Sequence, residues 1–145
     1  MLTLFIVNSD SQHADRAKTE ASFGDIPQHI VPVWNFKDIN TTQKNTEWYG
    51  VIYDDEYIED ALKVSLNIFF ESDADVLIVY RKELTDELHI TKAPRFFRKH
   101  VLLQEESLLP QEIVYGIGVN LLKFETILNG WIISHASDSV QSGRS

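Results

Sequence analysis

The sequence predicts a single-domain α/β protein with a mostly parallel central sheet and flanking helices. Three observations carry this prediction. Over the first 80 residues, β-rich apolar runs alternate with helical stretches in the order strand, helix, strand, loop, strand, helix, strand. Such alternation implies parallel strands joined by helical crossovers. The length, 145 residues, suits one hydrophobic core and would crowd two. Hydrophobic residues make up 43% of the chain and charged residues 24%, a balance that buries a core and argues against disorder.

From Leu2 to Val7 nearly every position is apolar, as in a strand buried on both faces. Asn8 to Ser11 form a polar break. Gln12 to Phe23, with Ala14, Ala17 and Ala21, reads as a helix capped by Asp10 or Ser11 and stopped by Gly24. His29 to Val33, entered through Pro27, is a second strand. Asn35 to Thr46 is polar and aperiodic and reads as a loop with room for one helical turn. Trp48 to Tyr53 is a third strand. Glu56 to Phe70 is the clearest helix, with Ile58, Leu62, Ser65 and Phe69 on one face. Asp75 to Tyr80 is a fourth strand.

The second half is less regular. Leu88 to Thr91 and Glu112 to Tyr115 read as strands, and Pro94 to Leu103 as a mixed aromatic and basic stretch. Val119 to Leu128 reads as a helix ended by Asn129 and Gly130, and Trp131 to Ser134 as a last apolar piece. Residues 1–133 form the expected domain and residues 134–145 a C-terminal tail, whose serine-rich composition offers little to bury.

The net charge is -9, from 22 acidic and 13 basic residues, with a pI near 4.9. That excludes a general nucleic-acid coat, which needs a basic face. The absence of cysteine excludes disulfides, zinc–thiolate sites and a cysteine nucleophile. No apolar run is long enough to span a membrane, and the first residues lack the basic start and cleavage site of a signal peptide. The expectation is a soluble, cytoplasmic protein.

Two local clusters depart from the average composition. Asp54, Asp55 and Glu56 follow the third strand directly, at the edge where open α/β sheets bind ligands. Carboxylates there can hold magnesium or manganese, and the metal in turn neutralises a diphosphate. The same acids would also cap a following helix and complement its dipole. The second cluster is basic: Lys92, Arg95, Arg98 and Lys99 around Phe96 and Phe97. Arginines there suit phosphate or carboxylate, and they equally suit a solvated face anchored by phenylalanines. Gly116 and Gly118 fit a turn better than a dinucleotide fingerprint. None of the five histidines has zinc-helix spacing. Trp34, beside the polar loop, is the tryptophan whose position suggests a ligand contact.

The run Glu47 to Tyr57, EWYGVIYDDEY, leads from a strand through acids into a helical stretch, and ADVLIVY follows at Ala74 to Tyr80. With APRFFRK at Ala93 to Lys99 and LNGW at Leu128 to Trp131, it resembles the nucleotide-sugar glycosyltransferases of the GT-A type, over most of residues 1–133. The resemblance implies a GT-A, Rossmann-like sheet and metal-dependent transfer of a sugar from a nucleotide-sugar donor to an unidentified acceptor. It implies that Asp54, Asp55 and Glu56 hold a divalent manganese or magnesium, either as Asp54 with Glu56 or through Asp55. It places Asn8 or Asp10 near the base and the loop from Trp34 near the nucleotide, with Arg95 and Arg98 as further donor contacts. A catalytic base would come from the second half, where Glu105, Glu106 and Glu112 are available. The segment after the second strand, Val33 to Asp38, lacks the acidic, serine-rich turn of that family, and the chain is short. A non-catalytic binding or assembly module on a similar α/β scaffold is the alternative.

Overall fold

The computed structural model describes residues 1–84, 89–103 and 122–134. The chain runs β1 (Leu2–Val7), α1 (Arg16–Phe23), β2 (Pro27–Val33), α2 (Phe36–Thr41), β3 (Trp48–Tyr53), β4 (Glu56–Ile58), α3 (Asp60–Phe69), β5 (Val76–Glu83), β6 (His89–Arg98) and β7 (Phe124–Ser134). The seven strands form one sheet in the order β2-β1-β3-β6-β5-β7-β4.

This corrects the expected architecture. The sheet is mixed and curls into a half-barrel; it is not a helix-flanked, mostly parallel, Rossmann-like sheet. Pairings β1–β2, β1–β3 and β5–β7 are parallel, whereas β3–β6, β5–β6 and β4–β7 are antiparallel. Three local differences produce the change. The first half of the aromatic and basic stretch forms the second half of the ten-residue β6, which runs antiparallel to both neighbours. Residues 124–128, expected in a helix, open the eleven-residue β7. Glu56 to Ile58, expected as the first turn of the long helix, pair instead with Ser134 to Ile132, and α3 begins at Asp60.

Alternation within each strand builds a core on both faces of the sheet. Leu2, Leu4 and Ile6 of β1 pack with Trp48, Ile52, Leu77, Val79, Phe96, Ile127 and Ile132, under Phe23 of α1 and Leu62 and Leu66 of α3. Phe5 and Val7 face the other way, toward Tyr49, Val51, Val76 and Phe97, under Phe36 and Ile39 of α2 and Val101 and Leu103. Gly50 lies opposite Phe96, and a Cβ there would stand 2.7 Å from the Phe96 ring, so the missing side chain makes room for the aromatic.

The helices stop and start for local reasons. Asp15 caps α1 by accepting from the Lys18 N–H, and Gly24 ends it at a φ of 59°. Asn35 caps α2 in the same way through the Asp38 N–H. In β7, three residues of extra chain lie between the pairs Val79–Ile127 and Tyr80–Trp131. Gly130 occupies that bulge at a φ of 100°, against the backbone of Leu62. Among the described residues no helix is long and apolar enough to cross a membrane. The expected strand Glu112–Tyr115, the Gly116–Gly118 turn, Glu105, Glu106, Glu112 and tail residues 135–145 lie outside the described residues.

Candidate functional site

Three parallel strands end side by side. Val7 of β1 is in register with Val33 of β2 and with Tyr53 of β3. The next residue of each strand is therefore Asn8, Trp34 and Asp54, in one row along the carboxyl edge. The row is held by the Asn8 N–H donating to Val33 O at 2.9 Å and the Asp54 N–H donating to Val7 O at 3.1 Å. A cavity of about 410 Å³ opens there, lined by Ile6, Asn8, Arg16, Pro32, Trp34 and Asp54. Trp34 is 66% exposed, unlike Trp48, which is fully buried and donates its indole N–H to Phe70 O. Ile6 and Pro32, paired across β1 and β2, supply the cavity's apolar wall.

The loop after β1 is fastened to Asp54. Both the N–H and the hydroxyl of Ser9 donate to Asp54 Oδ1. Ser11 N–H donates to Ser9 Oγ at 3.2 Å, and His13 N–H to Ser11 Oγ at 3.0 Å. Asp15 N–H then donates to Asp54 O at 2.7 Å, which positions the start of α1. Asp10 sits exposed in this loop at a φ of 61° and lines neither of the two cavities at this edge.

The second of these cavities, of about 180 Å³, lies beside the first. His13, Asp15, Lys18, Thr19, Asp54, Asp55, Glu56 and Tyr57 line it. Asp54 borders both. Lys18 Nζ stands 4.2 Å from the centre of the Tyr57 ring, and Thr19 Oγ1 donates to Glu56 O at 2.5 Å.

The three consecutive acids have three different fates. Glu56 is 1% exposed and fully engaged. Arg95 Nη1 donates to its Oε1 at 2.8 Å and Arg95 Nη2 to its Oε2 at 2.9 Å. Arg81 Nε donates to Oε2 at 2.5 Å, and the Tyr53 N–H to Oε1 at 2.9 Å. Burial alone would raise the Glu56 carboxyl, but the two guanidiniums and the N–H outweigh it and hold it below the usual carboxylate range. Asp55 is 8% exposed and hydrogen-bonds Ser11. Burial, reinforced by the neighbouring Glu56 charge and only partly offset by Arg81, pushes its carboxyl up to about 6. Asp54 faces the cavities with one oxygen already accepting from Ser9.

Asp54, Asp55 and Glu56 thus turn to three different sets of partners. Among the described residues no group of three or more His, Asp or Glu side chains is placed to hold an ion. The two arginines also stand elsewhere. Arg95 is fully buried in its ion pair with Glu56, its guanidinium 5.5 Å from the Tyr53 ring centre. Arg98 lies opposite Trp48, at the far end of β3 from Asp54, about 20 Å along the strand at ~3.3 Å per residue. There it donates to Ala74 O and Ser72 O and covers the Trp48 ring at 4.2 Å.

Of the residues expected at a site, Asn8, Trp34 and Asp54 come together. Arg16, Ser9, Lys18 and Tyr57 join them without having been anticipated. Arg16 looks like any helix-surface arginine in sequence; only the folding of α1 back over the end of β1 brings it to the cavity. No protein-family model and no curated protein matches the chain.

Proposed function

We propose that this protein binds the nucleotide part of a nucleotide-sugar at the carboxyl edge of β2-β1-β3, as a glycosyltransferase-like binding module. The observation that carries this reading is the exposed indole of Trp34 beside Asn8 and Asp54 over the same cavity. An open aromatic face next to fixed polar groups suits a stacked base with a hydrogen-bonded ribose. Asn8 offers an amide donor and acceptor, and Asp54 an acceptor held still by Ser9. The engagement of Glu56 by two arginines favours binding without metal-dependent transfer. A cytoplasmic setting accords with the absence of cysteine.

Uridine and guanosine nucleotides, titrated at up to millimolar concentration, should quench tryptophan fluorescence and raise the melting temperature. Trp34→Ala should weaken binding by about 5- to 150-fold, from the ~1–3 kcal/mol of a base–aromatic stack. No binding of any nucleotide to the wild-type chain refutes the reading.

Transfer of the sugar to an acceptor is the second reading. One observation favours it: Asp54 borders both the Trp34 cavity and the polar cavity lined by Lys18 and Tyr57. A donor in the first and an acceptor hydroxyl in the second would meet at Asp54. Release of free nucleoside diphosphate from UDP-glucose or GDP-mannose, measured with and without manganese, tests it; no release above the buffer rate leaves binding as the function.

A further inference from the structure

We infer that the anionic group of this ligand is held directly by Arg16, without a divalent cation between them. The inference rests on the nucleotide reading for the planar part of the ligand, and on the cavity itself for the anion.

Of the three acids that would hold a bridging cation, Glu56 is fully engaged, Asp55 is buried against Ser11, and Asp54 has one oxygen taken. Glu56 accepts from two guanidiniums and a backbone N–H, and Asp54 accepts twice from Ser9 on one oxygen. Among the described residues, the cationic side chains nearby are committed too, with one exception. Arg95 and Arg81 hold Glu56, Arg98 is at the other end of β3, and Lys18 covers Tyr57 in the adjoining cavity. Arg16 lines the Trp34 cavity itself. Its ion pair is with Glu20, one turn along α1, at 3.2 Å and with both side chains well exposed. A surface pair of this kind is weak, and a phosphate offering two oxygens to the guanidinium fork displaces it readily.

Charge also orients the ligand. Among the described residues, Arg16 and Asp54 are the charged groups on the cavity wall. An anionic group avoids Asp54 and turns toward α1, which leaves the neutral, hydroxyl-bearing part beside Asp54 and Asn8 and the planar part on Trp34.

Isothermal titration of uridine, UDP, guanosine, GDP and pyrophosphate, each in EDTA and in manganese, tests this with the wild type, Arg16→Gln and Glu20→Gln. In EDTA a diphosphate should bind about tenfold more tightly than its nucleoside, as expected for charge-assisted hydrogen bonds. Arg16→Gln should remove that preference and weaken pyrophosphate about tenfold, while leaving the nucleoside unchanged. Glu20→Gln, which releases Arg16 from its partner, should tighten UDP or GDP about twofold. A diphosphate preference that needs manganese and survives Arg16→Gln overturns the inference, as does a wild type that binds pyrophosphate no better than Arg16→Gln. Pyrophosphate binding lost in Arg16→Gln while no nucleoside binds supports the anion site and refutes the nucleotide reading alone.

Discussion

Glu56→Gln should cost this protein a large part of its stability. The substitution keeps the side-chain volume and removes the charge. It leaves Arg95, 1% exposed, and Arg81, 13% exposed, facing a neutral amide. Arg81 keeps Glu83 at 2.6 Å and the Ser134 hydroxyl at 3.0 Å, so it is partly compensated. Arg95 keeps the Val51 carbonyl, at a long 3.3 Å, and the face of the Tyr53 ring, with no second carboxylate among its described ion pairs. Breaking one side of a buried pair costs about 3–5 kcal/mol, because a charge is left desolvated. One amide N–H also turns toward a guanidinium where an acceptor stood. For a chain of this size about 3 °C of melting temperature goes with each kcal/mol, so a fall of about 10 °C or more is expected. Urea denaturation should show the midpoint falling with an unchanged slope. The double variant Glu56→Leu with Arg95→Met should be more stable than Glu56→Gln, since it removes both charges together. A Glu56→Gln loss below about 1 kcal/mol would refute the reasoning. It would mean that the carboxylate is not held by both arginines and is available to a ligand.

Three further outcomes are expected. Asp55→Asn should stabilise the protein at pH 7 by about 3 kcal/mol and flatten its stability between pH 4 and 6 in pH-resolved denaturation. The folded-state value is raised to about 6 from 3.8, so the native state binds the extra proton, and wild-type stability falls as pH rises through that window. Gly130→Ala should destabilise by about 2–4 kcal/mol in urea, because its Cβ would stand 2.1 Å from the Leu62 backbone nitrogen at a φ of 100°. Trp34→Ala should leave the melting temperature within about 2 °C of wild type while weakening ligand binding, since an indole this exposed contributes little to the core.

The first half of the chain was largely legible because its signals are local. The unbroken apolar run of β1, the Gly24 stop and the aromatic, β-branched β3 each announce an element within a few residues. What escaped is set by pairing across long separations. Tyr57 and Ile58 have the spacing of a helix start, yet they become strand because Ile133 and Ile132 return to pair with them. Asn129 and Gly130 have the chemistry of a helix stop, and they serve instead as a bulge that lets β7 clear α3. The residues before them gave no local clue: Phe124 and Glu125 are both exposed, Ile127 is fully buried and Leu128 is exposed, with no alternation to read. The candidate site was half legible for the same reason. Asn8, Trp34 and Asp54 are strand-end residues, readable wherever the strand ends are; Arg16 is not, because a helix must first fold over the edge.

The acidic run then takes on a different meaning. A cluster of carboxylates reads as a ligand site when counted together, but side chains of consecutive residues at a strand end and turn point in different directions. Here that divergence sends Glu56 inward, where it ties β4 to Arg81 on β5 and Arg95 on β6, and leaves Asp54 at the edge as the anchor for the loop that carries Asn8 to Asp15. Loss of Glu56 should therefore be seen first as unfolding, and loss of Asp54 as a loosened loop and a poorer ligand site. Asp54→Ala, which releases Ser9 but none of the Glu56 arginines, should weaken nucleotide binding more than it lowers the melting temperature. The opposite ranking for Asp54→Ala and Glu56→Gln would place the site on Glu56 and not on the row formed by Asn8, Trp34 and Asp54.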